Sequence, residues 1–358
     1  MHKKKVVIIS PVLGFVPQVY YYTKLLDEQG IGYDIIQWNR RGEEIVGDSS
    51  LIYNIPTDDY YPAWKKVIEI CKFTSFAKKI IRKREYHSVI VFNIAIALFF
   101  PVFLKRRFNR RYIFDIRDYS PIMNNVFGRL VIKYIMRNSA LNVISSQGFL
   151  EWLPFKDNIK ICHNVGILNC DCEEVAYNRI VFNNPIRVLT IGAIRDYKAN
   201  TSLLESLLND ERFEMQFSGS SPIATELEKY AKDKNIRNVI FTGRYKKEDE
   251  EELVRNTDLI NSILDQDINS KTLMTNRMYL SVLLQKPIIV NSNCYQAEVV
   301  GKYALGVVIR DDNSTKEQIL EYCNTFNYDV YLKGCKDFIS KVNNDNEIWR
   351  KAIIDLMN

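Results

Sequence analysis

The sequence predicts an α/β protein with two doubly wound domains, and three observations support this fold class. Runs of β-branched and other apolar residues alternate with longer amphipathic segments. The alternation occurs in two rounds, separated by a polar linker before residue 186. The length of 358 residues also exceeds what one hydrophobic core usually supports. We therefore expect two Rossmann-like domains that face each other across a central cleft.

In the first round, buried apolar runs predict strands and the segments between them predict helices. The predicted strands are residues 6–10, 33–38, 88–93, 112–115 and 141–145. The predicted helices are residues 18–29, 64–83, 94–105 and 126–138, and another helix begins at residue 147. Residues 159–162 then lead into the loop 163–166.

The second round repeats the pattern. Its predicted strands are residues 186–191, 213–218, 239–242, 259–264, 288–290 and 307–309. Its predicted helices are residues 198–208, 224–234, 247–256, 275–284, 315–324 and 347–357. We expect an N-terminal domain at 1–170 and a C-terminal domain at 171–343. The terminal helix at 344–358 is expected to pack back on the first domain.

Composition restricts the class of protein. A hydrophobic content of 47% and an aromatic content of 12% indicate a globular chain. Residues 1–170 contain 25 Lys and Arg against 14 Asp and Glu, a net charge of +11, and the rest contains 24 against 29, a net of −5. This asymmetry predicts that the first domain faces an anionic partner.

Several site classes are not predicted. The chain has no G-x-G-x-x-G after its first strand, no phosphate-binding P-loop and no G-x-S-x-G elbow. Three widely spaced histidines predict no metal site, and seven scattered cysteines predict reduced thiols in a cytoplasmic protein. The start of the chain passes from three lysines directly into the apolar residues 6–9, which is unlike a signal peptide. The D-x-D run at 265–267 follows a late strand, so we interpret it as two solvated loop carboxylates.

The segment 275–290 is the most informative motif. A helix that begins near Thr275 or Asn276 aims backbone N–H groups, including that of Arg277, at an anion. A basic turn and a buried strand follow this helix. The segment resembles the donor-site helix of GT-B glycosyltransferases, with Asn276 and Tyr279 kept and the family's glutamate replaced by Leu280.

Other parts of the second domain resemble the same family. Gly192 follows a strand and Lys198 lies six residues later, as in the family, but the family's arginine position is Ala193. The resemblance implies that Lys198 and Arg195 stabilise the leaving diphosphate, and the alternative is a solvated basic loop. It also implies donor-binding turns at Gly219 and at Gly243–Arg244.

In the first domain, Gly14 occupies the place of the family's glycine-rich turn, and a plain strand-to-helix turn is the alternative. The run Asp115, Arg117 and Asp118 resembles a family motif at a strand end. The resemblance implies that Asp118 positions a hydroxyl group, and an ion pair capping the next helix is the alternative. Asn164 belongs to the family's loop at the end of this domain.

Two departures affect the donor site. The family's two glutamates, eight positions apart, fall on Thr272 and Leu280. Leu280 cannot accept a hydrogen bond from ribose. Either Glu298 or Asp267 makes that contact, or donor binding is weakened or lost.

The stretch 64–111 is strongly basic, with 13 Lys and Arg against Glu69 and Glu85. Basic residues mixed with apolar and aromatic ones suit an anionic membrane surface. A solvated basic helix face is the alternative, and nucleic acid is disfavoured because no known nucleic-acid module occurs.

The resemblance implies a family-4-like, retaining, metal-independent hexosyl transfer in bacterial capsule, lipopolysaccharide or exopolysaccharide synthesis. No cofactor is expected, because the nucleotide-sugar is a substrate. The implied acceptor is a lipid-linked glycan, and the implied location is the inner face of the plasma membrane. The alternatives are a nucleotide-sugar epimerase or hydrolase, and a non-catalytic GT-B-like partner subunit.

Overall fold

The computed structural model describes residues 5–13, 16–44, 49–57, 61–165, 182–310 and 314–357. The chain divides into two compact units. One contains Met1–Ile167 and Asn344–Asn358, and the other contains Leu168–Asn343. The domain boundary predicted at residues 170 and 171 lies outside the described residues.

The first unit contains a seven-stranded parallel sheet in the order β3-β2-β1-β4-β5-β6-β7. The strands are β1 (Lys5–Ser10), β2 (Gly32–Trp38), β3 (Ile52–Tyr53), β4 (Ser88–Phe92), β5 (Tyr112–Ile116), β6 (Leu141–Ile144) and β7 (Ile159–Ile161). Every residue of β4 and β5 is buried, as expected for parallel strands covered by helices on both faces.

The helices of this unit are α1 (Pro17–Glu28), α2 (Ala63–Lys83), α3 (Ile94–Ala97), α4 (Pro101–Phe108) and α5 (Val126–Asn138). The end of the chain also belongs to the first unit. Its residues Trp349, Ile353 and Met357 are buried in one core cluster with Val6 and Tyr22. This packing covers β1 and α1 with apolar side chains from the terminal helix.

The second unit contains a six-stranded parallel sheet in the order β10-β9-β8-β11-β12-β13. Its strands are β8 (Ile186–Ile191), β9 (Phe213–Ser218), β10 (Val239–Gly243), β11 (Leu259–Asn261), β12 (Ile288–Asn291) and β13 (Gly306–Ile309). This is the strand order of a Rossmann sheet, and the order reverses between β8 and β11.

The remaining helices are α6 (Tyr197–Ser206), α7 (Pro222–Asp233), α8 (Glu250–Arg255), α9 (Ile268–Thr272), α10 (Asn276–Leu283), α11 (Tyr295–Tyr303), α12 (Thr315–Thr325) and α13 (Tyr328–Met357). The predicted fold class, an α/β protein with two doubly wound domains, is confirmed. Among the described residues, no helix is long and apolar enough to cross a membrane.

Several element predictions differ from the structure. The helix predicted at 94–105 is two helices, because Pro101 starts α4 and a proline cannot donate to a preceding turn. The segments at 147–153 and 247–256 contain short 3₁₀ turns, at Gln147–Glu151 and Lys247–Asp249. The strand β3 and the helices α9 and α11 were not predicted from the sequence.

Two further differences have clear physical causes. The strand predicted at 259–264 ends at Asn261, whose side-chain oxygen accepts a hydrogen bond from the Ile263 N–H at 3.0 Å. The helix predicted at 347–357 is the end of the 30-residue α13. Buried Tyr331 and Phe338 lie on one face of its earlier turns, so packing extends the helix toward the N-terminus.

Candidate functional site

Three glycines lie at the carboxyl ends of three adjacent strands in the second unit. Gly192 follows β8, Gly219 follows β9, and Gly243 ends β10. The Gly192 N–H donates to the Ser218 carbonyl at 3.0 Å, and the Gly219 N–H donates to the Gly243 carbonyl at 2.8 Å. The structure therefore brings together three residues that were predicted from separate motifs.

These turns require glycine for steric reasons. A Cβ atom at Gly219 would lie 1.9 Å from the carbonyl oxygen of Gly192. Gly192 itself has φ +91, a conformation that L side chains rarely adopt, and no atom lies within 4 Å of where its Cβ would be. The carboxyl edge of the sheet therefore presents bare backbone that a ligand can approach closely.

Arg277 connects the two central strands where the strand order reverses. Its Nε donates to the Ile191 carbonyl at 2.8 Å, Nη1 to the Asn261 carbonyl at 3.3 Å, and Nη2 to the Ala193 carbonyl at 3.1 Å. Burial lowers the pKa of this guanidinium, and the charge of Asp196 opposes the shift. Ligands of open α/β sheets bind at this reversal point, so Arg277 holds a positive charge there.

Reciprocal hydrogen bonds tie the loop after β8 to the loop after β11. The Asp265 N–H donates to Asp196 Oδ1 at 3.1 Å, and the Ala199 N–H donates to Asp265 Oδ1 at 2.9 Å. Asp265 therefore caps the first turn of α6 from a different loop. Asp196 precedes α6 with φ 60 and makes no side-chain cap. Burial raises the pKa of Asp196.

This tie fixes the backbone that carries the two predicted catalytic cations. Arg195 and Lys198 are both exposed, and Lys198 is the second residue of α6. Arg244, after the turn at Gly243, is also exposed. The structure therefore holds three cationic side chains in solvent at the carboxyl edge of the sheet.

A pocket of about 1040 Å³ opens at the ends of β11, β12 and β13, beside the start of α6. Lys198 and Arg310 supply cations to its lining, and Asp265 and Asp267 supply carboxylates. Its volume is at the upper end of the roughly 300–1,000 Å³ typical of ligand pockets. Two residues of the sequence predictions line it, the catalytic candidate Lys198 and the candidate ribose contact Asp267.

Asparagine side chains hold the loop after β11, which contributes Ile263, Leu264 and Asp265 to the pocket lining. Asn291 Nδ2 donates to the Leu264 carbonyl at 3.0 Å, and the Leu264 N–H donates to Asn291 Oδ1 at 3.1 Å. Asn261 Nδ2 donates to Thr190 Oγ1 at 2.8 Å and to Asn200 Oδ1 at 3.1 Å. The loop after β11 is thus held by side-chain amides where the strand ladder has ended.

The two aspartates of the D-x-D run were interpreted from the sequence as solvated loop carboxylates, but both accept hydrogen bonds from backbone N–H groups. Asp267 caps α9 by accepting hydrogen bonds from the N–H groups of Asn269 and Ser270 at 2.8 and 3.1 Å. Burial raises the pKa of Asp267, but the hydrogen bonds from Ser270 and Asn269 outweigh that effect and leave it lowered. Both aspartates therefore shape the pocket wall by fixing helix starts.

The predicted helix start in the segment 275–290 is present at α10. Thr275 occupies the N-cap, but its hydroxyl bonds Gln296 Oε1 at 2.6 Å and Ser262 Oγ at 3.0 Å instead of capping the helix. The Thr275 side chain therefore leaves the N–H groups of Asn276 and Arg277 uncapped, whereas the Met278 N–H donates to the Thr275 carbonyl at 3.2 Å. The buried Gln296 Nε2 has no hydrogen-bond partner among the described residues.

Thr272 and Leu280, which stand where the GT-B family has its two glutamates, differ in their surroundings. Thr272 is buried, and its hydroxyl donates to the Ile268 carbonyl of its own helix at 2.8 Å. Leu280 is partly exposed on α10. Of the two predicted substitutes, Glu298 is exposed in the first turn of α11, and Asp267 lines the pocket. The ribose contact of either residue stays a prediction.

In the first unit, Asp115 and Arg117 form a buried ion pair. Arg117 Nε and Nη2 donate to the two carboxylate oxygens, the second at 2.7 Å. Tyr22 also donates to Asp115 at 2.9 Å, and Arg117 Nη1 donates to the Cys162 carbonyl at 2.8 Å. Burial is the largest effect on Arg117 and opposes its charged form. The charge and hydrogen bonds of Asp115, together with the nearby Cys162 and Tyr22, outweigh burial in sum and raise the pKa of Arg117.

This pair organises the loop that carries Asn164. Arg117 Nη1 donates to Asn164 Oδ1 at 3.2 Å, and Tyr21 donates to the Asn164 carbonyl at 3.2 Å. Because Asp115 is fully buried, it acts through the loops it holds in this arrangement. Asp118 follows β5 and is exposed. Acceptor contacts by these residues remain predictions, and Gly14 lies outside the described residues.

Sequence reasoning missed part of this site. Arg310, Asn291 and Asn293 line the pocket, although no motif pointed to them. The usable signal was positional, because each follows or ends a parallel strand, where ligands of such sheets bind. Among the described residues, no group of three or more His, Cys, Asp or Glu could hold a metal ion.

Comparisons with known proteins support the fold. No family model matches the chain, and a search of curated proteins finds no significant match. Sucrose-phosphate synthase from Thermosynechococcus elongatus is similar in structure, with 13% identity, a TM-score of 0.70 and coverage of 99% of this chain and 98% of that one.

Two further structures are similar along nearly their whole length. HepE from Anabaena in complex with UDP has 13% identity, a TM-score of 0.63 and coverage of 98% and 100%. The lipopolysaccharide outer core galactosyltransferase WaaB has 13% identity, a TM-score of 0.62 and coverage of 98% and 99%. At these identities the likeness shows the fold alone, the two-domain Rossmann-like fold of GT-B glycosyltransferases.

Proposed function

We propose that the protein is a glycosyltransferase that takes a sugar from a nucleotide-sugar donor, which the second unit binds. One observation carries the proposal. The reversal point of the second sheet combines bare glycine backbone at Gly192 and Gly219 with the cation Arg277 and the uncapped start of α10. Backbone N–H groups and fixed cations of this kind favour a diphosphate.

The chemistry assigned to the site follows from charge. When the sugar leaves, negative charge develops on the nucleoside diphosphate, and a fixed cation stabilises it. Lys198 and Arg195 are the exposed cations on the loop that Asp196 and Asp265 hold in place. We assign them to the leaving group. Gly243 and Arg244 are assigned to the nucleotide, and retention without a metal ion is part of the proposal.

The acceptor side is assigned to the first unit. Asp118 is exposed at the carboxyl end of β5, and the Asp115–Arg117 pair fixes the loop that carries Asn164. The similar galactosyltransferase WaaB is described as acting in the lipopolysaccharide outer core. We propose a glycan acceptor, lipid-linked as in bacterial surface polysaccharide synthesis, and a peripheral position on the inner face of the membrane.

Calorimetry against a panel of nucleoside diphosphates tests the donor site. We expect one diphosphate to bind, and the variant Arg277→Met should weaken that binding at least tenfold. A matched control is Arg187→Met, because Arg187 is exposed on β8 away from the carboxyl edge. Absence of binding to every diphosphate would contradict the proposal.

A second function has one specific observation in its favour. Thr272 uses its hydroxyl within its own helix, and Leu280 has no hydrogen-bonding group, so neither replaces a ribose-binding glutamate. A GT-B-like partner subunit without donor binding would show these residues. The same calorimetric panel separates the two functions, because such a subunit would bind none of the diphosphates.

A further inference from the structure

The outward face of α5 carries an unusual stripe of exposed apolar side chains. The exposed fractions are 73% for Val126, 73% for Phe127, 58% for Leu130 and 42% for Tyr134. With 3.6 residues per turn, these positions fall on one side of the helix. The opposite side, with Ile132 and Ile135, is buried. The helix is therefore apolar on both sides, although only one side has a protein partner.

Local contacts hold the first turn of α5, which carries the exposed Val126 and Phe127. Asn125 caps α5 by accepting a hydrogen bond from the Phe127 N–H at 2.8 Å. A Cβ atom at Gly128 would lie 2.3 Å from the Ile122 carbonyl oxygen, so the first turn packs closely on the preceding 3₁₀ turn. With the first turn held in this way, Val126 and Phe127 are exposed.

Basic residues border the stripe. Arg129, Lys133 and Arg137 are exposed on α5, and the helix contains no Asp or Glu. At helical spacing these three cations form a row along one side of the apolar stripe. The neighbouring helix α4 adds exposed Val102 and Arg106. Lys105 of α4 joins the two helices by donating to Asn138 Oδ1 at 2.6 Å.

We propose that this face of α5 docks on an anionic lipid bilayer. Its apolar side chains would enter the boundary between headgroups and acyl chains, and its cations would contact lipid phosphates. The charge row selects an anionic surface over a second copy of this chain, since two copies would bring like charges together. The choice of lipid rests on the proposed function, whose acceptor is lipid-linked.

The face is centred on α5, which lies outside the basic stretch 64–111, and it shares only Val102 and Arg106 of α4 with that stretch. Trp64, Val67 and Ile68 of α2 are also exposed and have lysines beside them. They form a separate group at the start of a different helix. Lipid binding through α5 and lipid binding through the start of α2 predict different effects of substitution. Variants of the two groups can therefore be compared.

Vesicle flotation tests the proposal directly. The full-length protein should float with vesicles of phosphatidylcholine and phosphatidylglycerol, and much less with phosphatidylcholine alone. The double variant Phe127→Ser/Leu130→Ser should lower the partition coefficient roughly tenfold or more. The control Val330→Ser changes an exposed apolar residue of α13 in the second unit and should leave the partition coefficient unchanged.

A second pair of variants isolates the charge row. Arg129→Glu/Lys133→Glu should reduce binding to anionic vesicles by roughly tenfold or more, and added salt should weaken wild-type binding. The control Lys333→Glu/Lys336→Glu makes the same charge change on exposed residues of α13. Because all of these side chains are exposed, each variant should keep the thermal midpoint of the wild type.

Three results would overturn the proposal. The wild type could fail to bind anionic vesicles at low salt, or the α13 controls could lose as much binding as the α5 variants. The α5 variants could also convert a wild-type dimer to a monomer in sedimentation, which would assign the face to a second copy. Nucleoside diphosphate binding is measured separately, so lipid binding can stand even if the proposed transferase function fails.

Discussion

The two units place arginine at the carboxyl edge of their sheets in opposite electrostatic settings. In the first unit, Arg117 is buried and bonds both oxygens of Asp115. In the second unit, the hydrogen bonds of Arg277 go to three backbone carbonyls, and no described carboxylate bonds it. A neutralised pair holds loops together, whereas a cation held by neutral groups can still attract an anion.

This contrast separates the structural role of the Asp115–Arg117 pair from the ligand-binding role proposed for Arg277. Exposed cations near Arg277 add to the positive charge of the second unit's edge, although that half of the chain is acidic overall. The first half is basic overall, yet its central ion pair is neutral. Local arrangement, and not the charge of each half, therefore decides where a diphosphate is expected.

The largest expected effect is on the stability of the first unit. Asp115→Ala leaves the Arg117 charge buried without its partner, which should lower the free energy of unfolding by about 3–5 kcal/mol. Urea denaturation measures this change. The control Asp118→Ala alters an exposed carboxylate and should change stability far less. Equal losses in the two variants would refute the structural role of the pair.

The next effect is on catalysis. Lys198→Ala should lower donor turnover roughly 100- to 1000-fold, because a cation near the leaving diphosphate is removed. Release of nucleoside diphosphate from the nucleotide-sugar measures this turnover, and the assay does not require that the acceptor be known. Since Lys198 is exposed, stability should be unchanged. The exposed Lys232 of α7 provides the control Lys232→Ala, and near-wild-type turnover of Lys198→Ala would rule out its catalytic role.

A smaller effect concerns the glycine edge. Gly219→Ala should cost about 1–3 kcal/mol of stability, because its Cβ must displace the Gly192 carbonyl. Nucleoside diphosphate affinity should fall with it. Gly301→Ala is the matched control within α11, where no atom lies within 4 Å of the added Cβ. Thermal unfolding with and without nucleotide distinguishes the two variants. An unaffected Gly219→Ala variant would contradict the close approach of this position to the Gly192 carbonyl.

The smallest effect depends on pH. Burial raises the pKa of Asp196, so its ionised form is disfavoured in the folded protein. Any stability from this carboxyl is present below its unfolded pKa and is lost as pH rises through its folded pKa. Asp196→Asn should therefore stabilise the protein at neutral pH, by less than about 1 kcal/mol, and this gain should shrink in acid.

Asp267 provides the opposite case, because its pKa is lowered. Its contribution is present above the unfolded pKa and is lost as pH falls through the folded pKa. Asp267→Asn should therefore destabilise at neutral pH, and the difference should also shrink in acid. Thermal unfolding from acid to neutral pH measures both variants, and the same sign of change in both would contradict this comparison.

Most of the fold was predictable from local pattern. Strand and helix periods located the main elements, and the three glycines of the second unit marked turns correctly because strained backbone requires glycine. The prediction was wrong where long-range contacts set the outcome. Asn261 ends β11 through side-chain bonds, and packing of Tyr331 and Phe338 extends α13 far beyond residue 347.

The two Rossmann-like rounds, the glycine turns and the helix start at Asn276 follow from the sequence, because they depend on neighbours within a few residues. Which charges are neutralised and which apolar residues stay exposed depends on long-range packing. Asp115 meets Tyr22 across 93 residues, and Arg277 meets the Ile191 carbonyl across 86. Contacts between residues so far apart in the chain leave no local sequence pattern. The buried ion pair of Arg117 and the backbone-carbonyl contacts of Arg277 could therefore be distinguished only in the folded structure.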